Sequence, residues 1–193
     1  QAQRWKEVEM FEKKEPLALT VHVVLDRSGS MQSIKADTVG ALNAYVEGLQ
    51  ADNPKARFSL TLFDTISTDT VILNRPIADV KAMTMDEFMP RGGTPLYDAI
   101  GHVVGLLDKA DGSAKVLVIL TDGEENSSQE YKRETIRSLL EDRQKTKDWL
   151  VVYLGANQDA FKAGAAMGVN VGTTMGWPSA MMVWGPPTAT LAA

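Results

Sequence analysis

The chain has no cysteine and only two histidines, His22 and His102, among its 193 residues. The first absence excludes a disulfide framework, a thiolate-bound metal and a cysteine nucleophile together. The second makes an imidazole-built metal site or a histidine-based triad a poor expectation. No apolar run reaches the roughly eighteen residues that a membrane-spanning helix needs. Positive charge is in deficit: 20 Lys and Arg against 25 Asp and Glu leave a net charge of −5. Nucleic-acid backbones are bound by clustered Lys and Arg, so nucleic acid is not an expected partner, and neither is a membrane. There is no G-K-[ST] for a Walker-type loop and no G-x-G-x-x-G after an apolar strand for a dinucleotide.

What is present describes an ordinary folded domain. Apolar residues make up 44% and charged residues 23% of the chain. A chain of this length can bury about 70% of the surface its unfolded form exposes, enough for one core without covalent staples. Residues 1–14 are charged and mixed, unlike a secretory leader, and with the missing cysteines they set a cytoplasmic expectation.

The pattern along the chain separates three parts. Residues 1–15 read as an N-terminal arm carrying Trp5, Val8, Met10 and Phe11 among charges. Residues 16–171 read as one domain, and residues 172–193, rich in Gly, Pro, Thr and Met, as an irregular C-terminal extension. Within the domain, Leu17 to Leu25, Lys115 to Leu120 and Trp149 to Leu154 are almost continuously apolar and β-branched, as strands covered on both faces are. Arg57 to Phe63 places Phe58, Leu60 and Leu62 on one face of a less buried strand, and Thr70 to Leu73 follows closely enough to pair with it as a hairpin. Between these strands, Ser33 to Gln50, Pro95 to Leu107 and a segment with Ile136, Leu139 and Leu140 carry apolar residues at helical spacing. Thr94 is placed to cap the second helix, Ser127 with Glu130 to form a capping box for the third, and a short helix from Gln158 to Met167 is expected to stop at Gly168. Strands alternating with helices predict an α/β fold: a doubly wound, Rossmann-like, mostly parallel central sheet with one antiparallel edge strand and helices on both faces.

In such a sheet, ligands gather outside the carboxyl ends of the strands. The first strand ends in Asp26-Arg27-Ser28-Gly29-Ser30, the loop before the Pro95 helix reads Arg91-Gly92-Gly93-Thr94, and the Val116 strand ends in Thr121-Asp122-Gly123. Two carboxylates and three hydroxyls therefore project from one rim. An all-oxygen set suits a hard cation such as Mg²⁺, with Mn²⁺ and Ca²⁺ as alternatives. Two carboxylates balance one divalent cation without excess negative charge, so an incoming acidic group is attracted to complete the shell.

Asp26-x-Ser28-x-Ser30, then Gly92-Gly93-Thr94-Pro95-Leu96-Tyr97-Asp98-Ala99, then Leu120-Thr121-Asp122-Gly123 resembles the von Willebrand factor A domain and its metal-ion-dependent adhesion site. The resemblance spans about Pro16 to Val171 and is carried by three motifs in order, each at a strand end. It implies that Ser28, Ser30 and Thr94 contact the metal directly or through water, that Asp26 and Asp122 hold it largely through waters, and that a Glu or Asp of a protein partner completes the shell. The Gly92 to Ala99 variant is closer to bacterial, phage-type or intracellular members. The family's closing amphipathic helix is replaced here by residues 172–193.

The neighbouring residues have plainer readings. Asp98 reads as a helix-start charge or an acceptor for nearby groups, Glu124, Glu125 and Asn126 as a solvated loop beside the site with a modulating role as the alternative, Asp64 as a turn residue with support of the rim as the alternative, and His22 as a core histidine. No histidine stands near the motif to act as a base, and the second aspartate of a phosphoryl-transfer site is replaced by Ser28, so no catalysis is expected. The sequence thus predicts a metal-dependent protein-binding module. Its alternative is a scaffold or assembly component, in an ATPase-associated complex or a phage particle, whose metal is mainly structural.

Overall fold

A computed structural model describes residues 19–110, 114–146, 148–156 and 160–176. The expected N-terminal arm, and the part of the expected extension from Trp177 onward, lie outside the described residues. Six strands form one sheet: β1 (Leu19–Asp26), β2 (Arg57–Phe63), β3 (Thr68–Pro76), β4 (Ala114–Thr121), β5 (Trp149–Gly155) and β6 (Thr174–Gly176). Their order is β3-β2-β1-β4-β5-β6. Among the described residues only the β2–β3 pair is antiparallel; the other pairings are parallel.

The helices are α1 (Lys35–Asp52), α2 (Leu96–Lys109), α3 (Arg133–Gln144) and α4 (Ala160–Ala166). β1 is an apolar run because it is buried from Thr20 to Asp26, with alternate residues feeding two cores. Val21, Val23 and Leu25 meet Leu42, Tyr45, Val46 and Leu49 of α1. Val24 and its counterparts Leu117 and Ile119 meet α2 through Ile100, Val103 and Leu107, and α3 through Ile136 and Leu140. The α1 face is completed by the irregular segment after β3, which contributes Ile77, Val80, Met83 and Phe88. The expected doubly wound sheet with an antiparallel edge is thus the observed architecture.

Several local expectations are corrected. β2 is covered on both faces, since β3 shields one edge and α2 reaches Phe63 on the second face. β3 runs nine residues, not four, and alternates between exposed and half-buried as an edge strand does. A bulge at Leu60 is accommodated by Asn74, whose φ of 45° is in the left-handed region and whose N–H donates to Ser59 Oγ at 2.8 Å. Thr94 does not cap α2, because the helix begins one residue later with Pro95 at the N-cap and no side-chain cap bond. The Ser127/Glu130 capping box does not form, because α3 starts only at Arg133. The stretch read as an irregular extension opens in regular structure: a 3-10 turn, Val171–Thr173, leads into β6, which pairs with β5 from Tyr153 opposite Thr174 to Gly155 opposite Gly176. Gly168, with φ of 75°, ends the α4 segment as expected.

Candidate metal centre

The strand order reverses direction between β1 and β4, and that switch point is where an open parallel sheet leaves a crevice. Leu25 pairs with Leu120, so Asp26 and Thr121 follow side by side at the carboxyl ends of the two strands. The loop after β1 is sewn to its neighbours by main chain. Arg27 N–H donates to Phe63 O at 2.8 Å, Arg91 N–H to Arg27 O at 2.8 Å, and Gly29 N–H to Gly92 O at 3.0 Å. Gly92 has a φ of 66° and its Cα packs against the Thr65 hydroxyl, so both its handedness and its missing side chain are used.

Beneath these loops lies a charged hub. The fully buried Asp64 carboxylate receives Arg27 Nε at 2.8 Å and Arg91 Nε at 3.0 Å on one oxygen, and the N–H groups of Ile66 and Ser67 on the other. Burial raises its pKa, but the bonds from Arg91, from the two backbone N–H groups and from Arg27 outweigh that and hold the carboxyl below the ordinary range. Asp64 is therefore a turn residue, as read from sequence, and also an anchor for both rim loops through two arginines.

On the rim, four of the five candidate residues form one hydrogen-bonded chain. Asp26 Oδ1 accepts the Ser28 N–H at 2.7 Å, the Ser28 and Ser30 hydroxyls are 3.1 Å apart, and Ser30 Oγ donates to Asp122 Oδ1 at 2.8 Å. Thr94 reaches the same place from the α2 side. A Cβ built on Gly123 would stand 3.2 Å from Thr94 Oγ1 and 3.8 Å from both Asp26 Oδ2 and Ser30 Oγ. Asp26, Ser28 and Thr94 are buried, with relative exposures of 0%, 2% and 2%. The structure thus brings Asp26, Ser28, Ser30, Thr94 and Asp122 together around one small space.

The chemistry of this donor set fits a divalent cation. Five oxygen-bearing side chains, two of them carboxylates, surround the space, an all-oxygen set that suits a hard cation better than a softer metal. The electrostatics point the same way. Burial pushes the Asp26 carboxyl above its ordinary range, opposed by bonds from Thr121 Oγ1 and from Ser28, while the nearby Asp122 charge pushes it further up. A buried carboxylate next to a second one, with no lysine or arginine bonded to it among the described residues, is what a cation would relieve.

Thr121 had no role in the sequence reading, and the loop residues Glu125 and Asn126 had no partner assigned to them. Thr121 donates to Asp26 Oδ2 at 2.6 Å. Asn126 is exposed, as a solvated loop residue would be, yet its Oδ1 accepts the Thr94 N–H at 2.9 Å and its own N–H donates to Thr94 O at 3.1 Å. Glu125 Oε2 accepts the Tyr97 N–H at 3.0 Å. Asp98 is the expected acceptor: its carboxylate takes the N–H groups of Gln129, Glu130 and Tyr131. His22 is the expected core histidine, bonded to Thr61 Oγ1 at 2.7 Å. His102 of α2 stands 3.5 Å from Thr70 Oγ1 of β3.

Comparison with known proteins places the fold. Residues 20–160 match the family model described as von Willebrand factor type A domain. Sporozoite surface protein 2 of Plasmodium yoelii yoelii is 29% identical over 117 residues, covering 54% of this chain but only 14% of that protein. Among solved structures, the von Willebrand factor type A protein from Catenulispora acidiphila matches with a TM-score of 0.56 and 18% identity, over 78% of this chain and 36% of its own. Proximal thread matrix protein 1 from the mussel byssus, in a structure with a zinc-occupied MIDAS motif, matches with a TM-score of 0.60 and 13% identity, over 86% of this chain and 45% of its own. The chain spans less than half of each of these relatives, and the structural likenesses speak to the fold. With its family model matched from Thr20 to Ala160, the chain belongs to the von Willebrand factor type A domain family.

Proposed function

We propose that the domain binds a divalent cation, Mg²⁺ first and Mn²⁺ or Ca²⁺ in its place, through Asp26, Ser28, Ser30, Thr94 and Asp122, and uses it to capture an acidic residue of a protein partner. The observation that carries this reading is the chain from buried Asp26 through Ser28 and Ser30 to Asp122, with Thr94 facing the same space. The cation supplies an electrophilic centre for a carboxylate oxygen. The residues of this chain do the rest. Asp26 and Asp122 provide the negative charge, and the three hydroxyls provide neutral oxygens that leave the site short of anionic ligands. Burial keeps Asp26 and Thr94 from competing water.

The reading is non-catalytic. Neither histidine stands at the rim: His22 is bonded to Thr61 inside the sheet and His102 lies against Thr70. The Gly92 to Ala99 variant favours a bacterial, phage-type or intracellular setting and a cytoplasmic encounter. Among the described residues no helix is long and apolar enough to cross a membrane. One relative is by name a surface protein, so fractionation of the native host decides the compartment.

A scaffold role is the second reading, favoured by the edge strand β3, which exposes Val71 and Leu73 at 49% and 60%. Long apolar edges invite pairing with another chain. One experiment separates the two. The immobilised domain is challenged with lysate of the native host in Mg²⁺ and in EDTA, beside the Asp26→Ala variant. Partner capture at the metal gives proteins retained only by the wild type in Mg²⁺. Retention indifferent to EDTA and to Asp26→Ala sinks it in favour of the scaffold.

A further inference from the structure

We infer that Asn126, with Glu125 and Ser128 behind it, is a positioning residue for the metal centre: it holds Thr94 in place by clasping the start of α2 to the loop that begins at Asp122. This rests on the metal reading above and concerns how the two halves of that site are kept in register.

The first turn of a helix has N–H groups without partners inside the helix, and a nearby side chain usually satisfies them. α2 has no cap of its own, because Pro95 occupies the N-cap position. Its first donors are satisfied from thirty residues away. Tyr97 N–H donates to Glu125 Oε2 at 3.0 Å and Asp98 N–H to Ser128 Oγ at 3.1 Å. Ahead of the helix, Thr94 and Asn126 exchange two bonds: Thr94 N–H to Asn126 Oδ1 at 2.9 Å, and Asn126 N–H to Thr94 O at 3.1 Å. The approach is close enough that a Cβ at Gly93 would lie 2.8 Å from Asn126 Oδ1, so glycine there is a condition of the clasp.

The clasp is itself braced. Glu125 Oε1 accepts the N–H groups of Ser127 and Ser128 at 2.8 and 2.6 Å, folding the loop onto its own carboxylate. In return, Asp98 of α2 accepts the N–H groups of Gln129, Glu130 and Tyr131 at 2.8 to 3.0 Å. Both carboxylates also sit at the positive end of the α2 dipole. Asp122 and Asn126 are four residues apart on one loop, whereas Thr94 arrives on a different element. Of the bonds described between the Thr94–Asp98 segment and the loop that begins at Asp122, the two made by Asn126 fall on Thr94 itself. Asn126 touches no metal position itself; it acts through the Thr94 backbone.

The test measures Mn²⁺ affinity of the full chain by electron paramagnetic resonance of free Mn²⁺, with thermal unfolding in EDTA run on every variant. Asn126→Leu removes the acceptor and is expected to weaken Mn²⁺ binding by about 10- to 100-fold, the usual cost of losing a group that orients a metal ligand. Asn126→Asp keeps the acceptor and is expected to bind at least as tightly as wild type. In a Thr94→Ala background, Asn126→Leu is expected to weaken binding by less than about twofold further, since two residues acting through one contact are not additive. Equal affinity of Asn126→Leu and wild type overturns the inference, as does an undiminished loss in the Thr94→Ala background. If the wild type binds no Mn²⁺, the metal reading itself is overturned and the role of the clasp at that site goes with it. If Asn126→Leu is unfolded in EDTA, Asn126→Ser carries the same cycle with the same expectations.

Discussion

Thr121 Oγ1 donates a 2.6 Å hydrogen bond to Asp26 Oδ2, joining the ends of β4 and β1 where the candidate metal centre lies. This hydroxyl, together with Ser28, holds a fully buried carboxylate in place. Thr121→Val keeps the shape and removes the donor. Hydrogen bonds to charged groups are worth about 1.5–3 kcal/mol, so urea unfolding in EDTA is expected to show a loss in that range. Unchanged stability would mean that Asp26 finds other donors.

Asp26→Asn should separate folding from metal binding. The carboxyl is pushed up by burial and by Asp122, so the metal-free fold carries a charge it does not favour. In EDTA the variant is expected to melt at or above the wild-type temperature. In Mg²⁺ the wild type gains RT ln(1 + [Mg²⁺]/Kd) and the variant gains nothing. A variant less stable than wild type in EDTA and equally stabilised by Mg²⁺ would contradict both statements.

Asp64→Ala leaves two guanidinium groups without their shared partner. Arg91 is half-exposed and can turn to solvent, but the Arg27 side chain is only 9% exposed and keeps only Asp69 and Ser67. Removing one partner of a buried pair typically costs about 3–5 kcal/mol, and the residual bonds place this case at the lower end. Equilibrium denaturation reads it directly, and a loss well under 1 kcal/mol (on the scale of an exposed pair) would assign the hub to surface electrostatics instead.

Much of this was legible in the chain. Strands buried on both faces read as unbroken apolar runs, and Asp26, Thr94 and Asp122 stand at the ends of such runs or just before a helix. What was not legible has one physical cause. Asn126, Glu125 and Thr121 act on partners 28 to 95 residues away, and a hydrogen bond between distant loops leaves no periodic trace. For the same reason Thr94 and Ser127 looked like local caps, although the donors of α2 are satisfied across the fold. β6 was missed because three residues are too few to establish an alternation.

The acid limb of stability should belong in part to His22. Burial, with the charge of His102 adding to it, lowers its pKa to about 3, against about 6.5 in an unfolded chain. Between those values the unfolded state binds the proton and the native state does not. Stability therefore falls as pH drops below about 6.5, by up to about 1.4 kcal/mol per pH unit, and this contribution levels off near pH 3. His22→Gln keeps a group for Thr61 and removes the titration. Its stability from urea unfolding between about pH 5 and pH 7 is expected to be flatter than wild type, the difference in slope growing toward that limit as pH falls below about 6.5. Parallel curves would show that His22 titrates alike in both states.

The central claim is that five side chains from three loops hold one divalent cation. It is tested most directly by titrating Mn²⁺ into the wild type and into Asp122→Ala, the substitution that removes the candidate ligand contributed by the loop after β4, and following free Mn²⁺ by its electron paramagnetic resonance signal. The account expects one Mn²⁺ per wild-type chain, displaced by Mg²⁺, and a large loss of affinity in a variant that still folds. No saturable binding by the wild type, or equal binding by the two proteins, would contradict it.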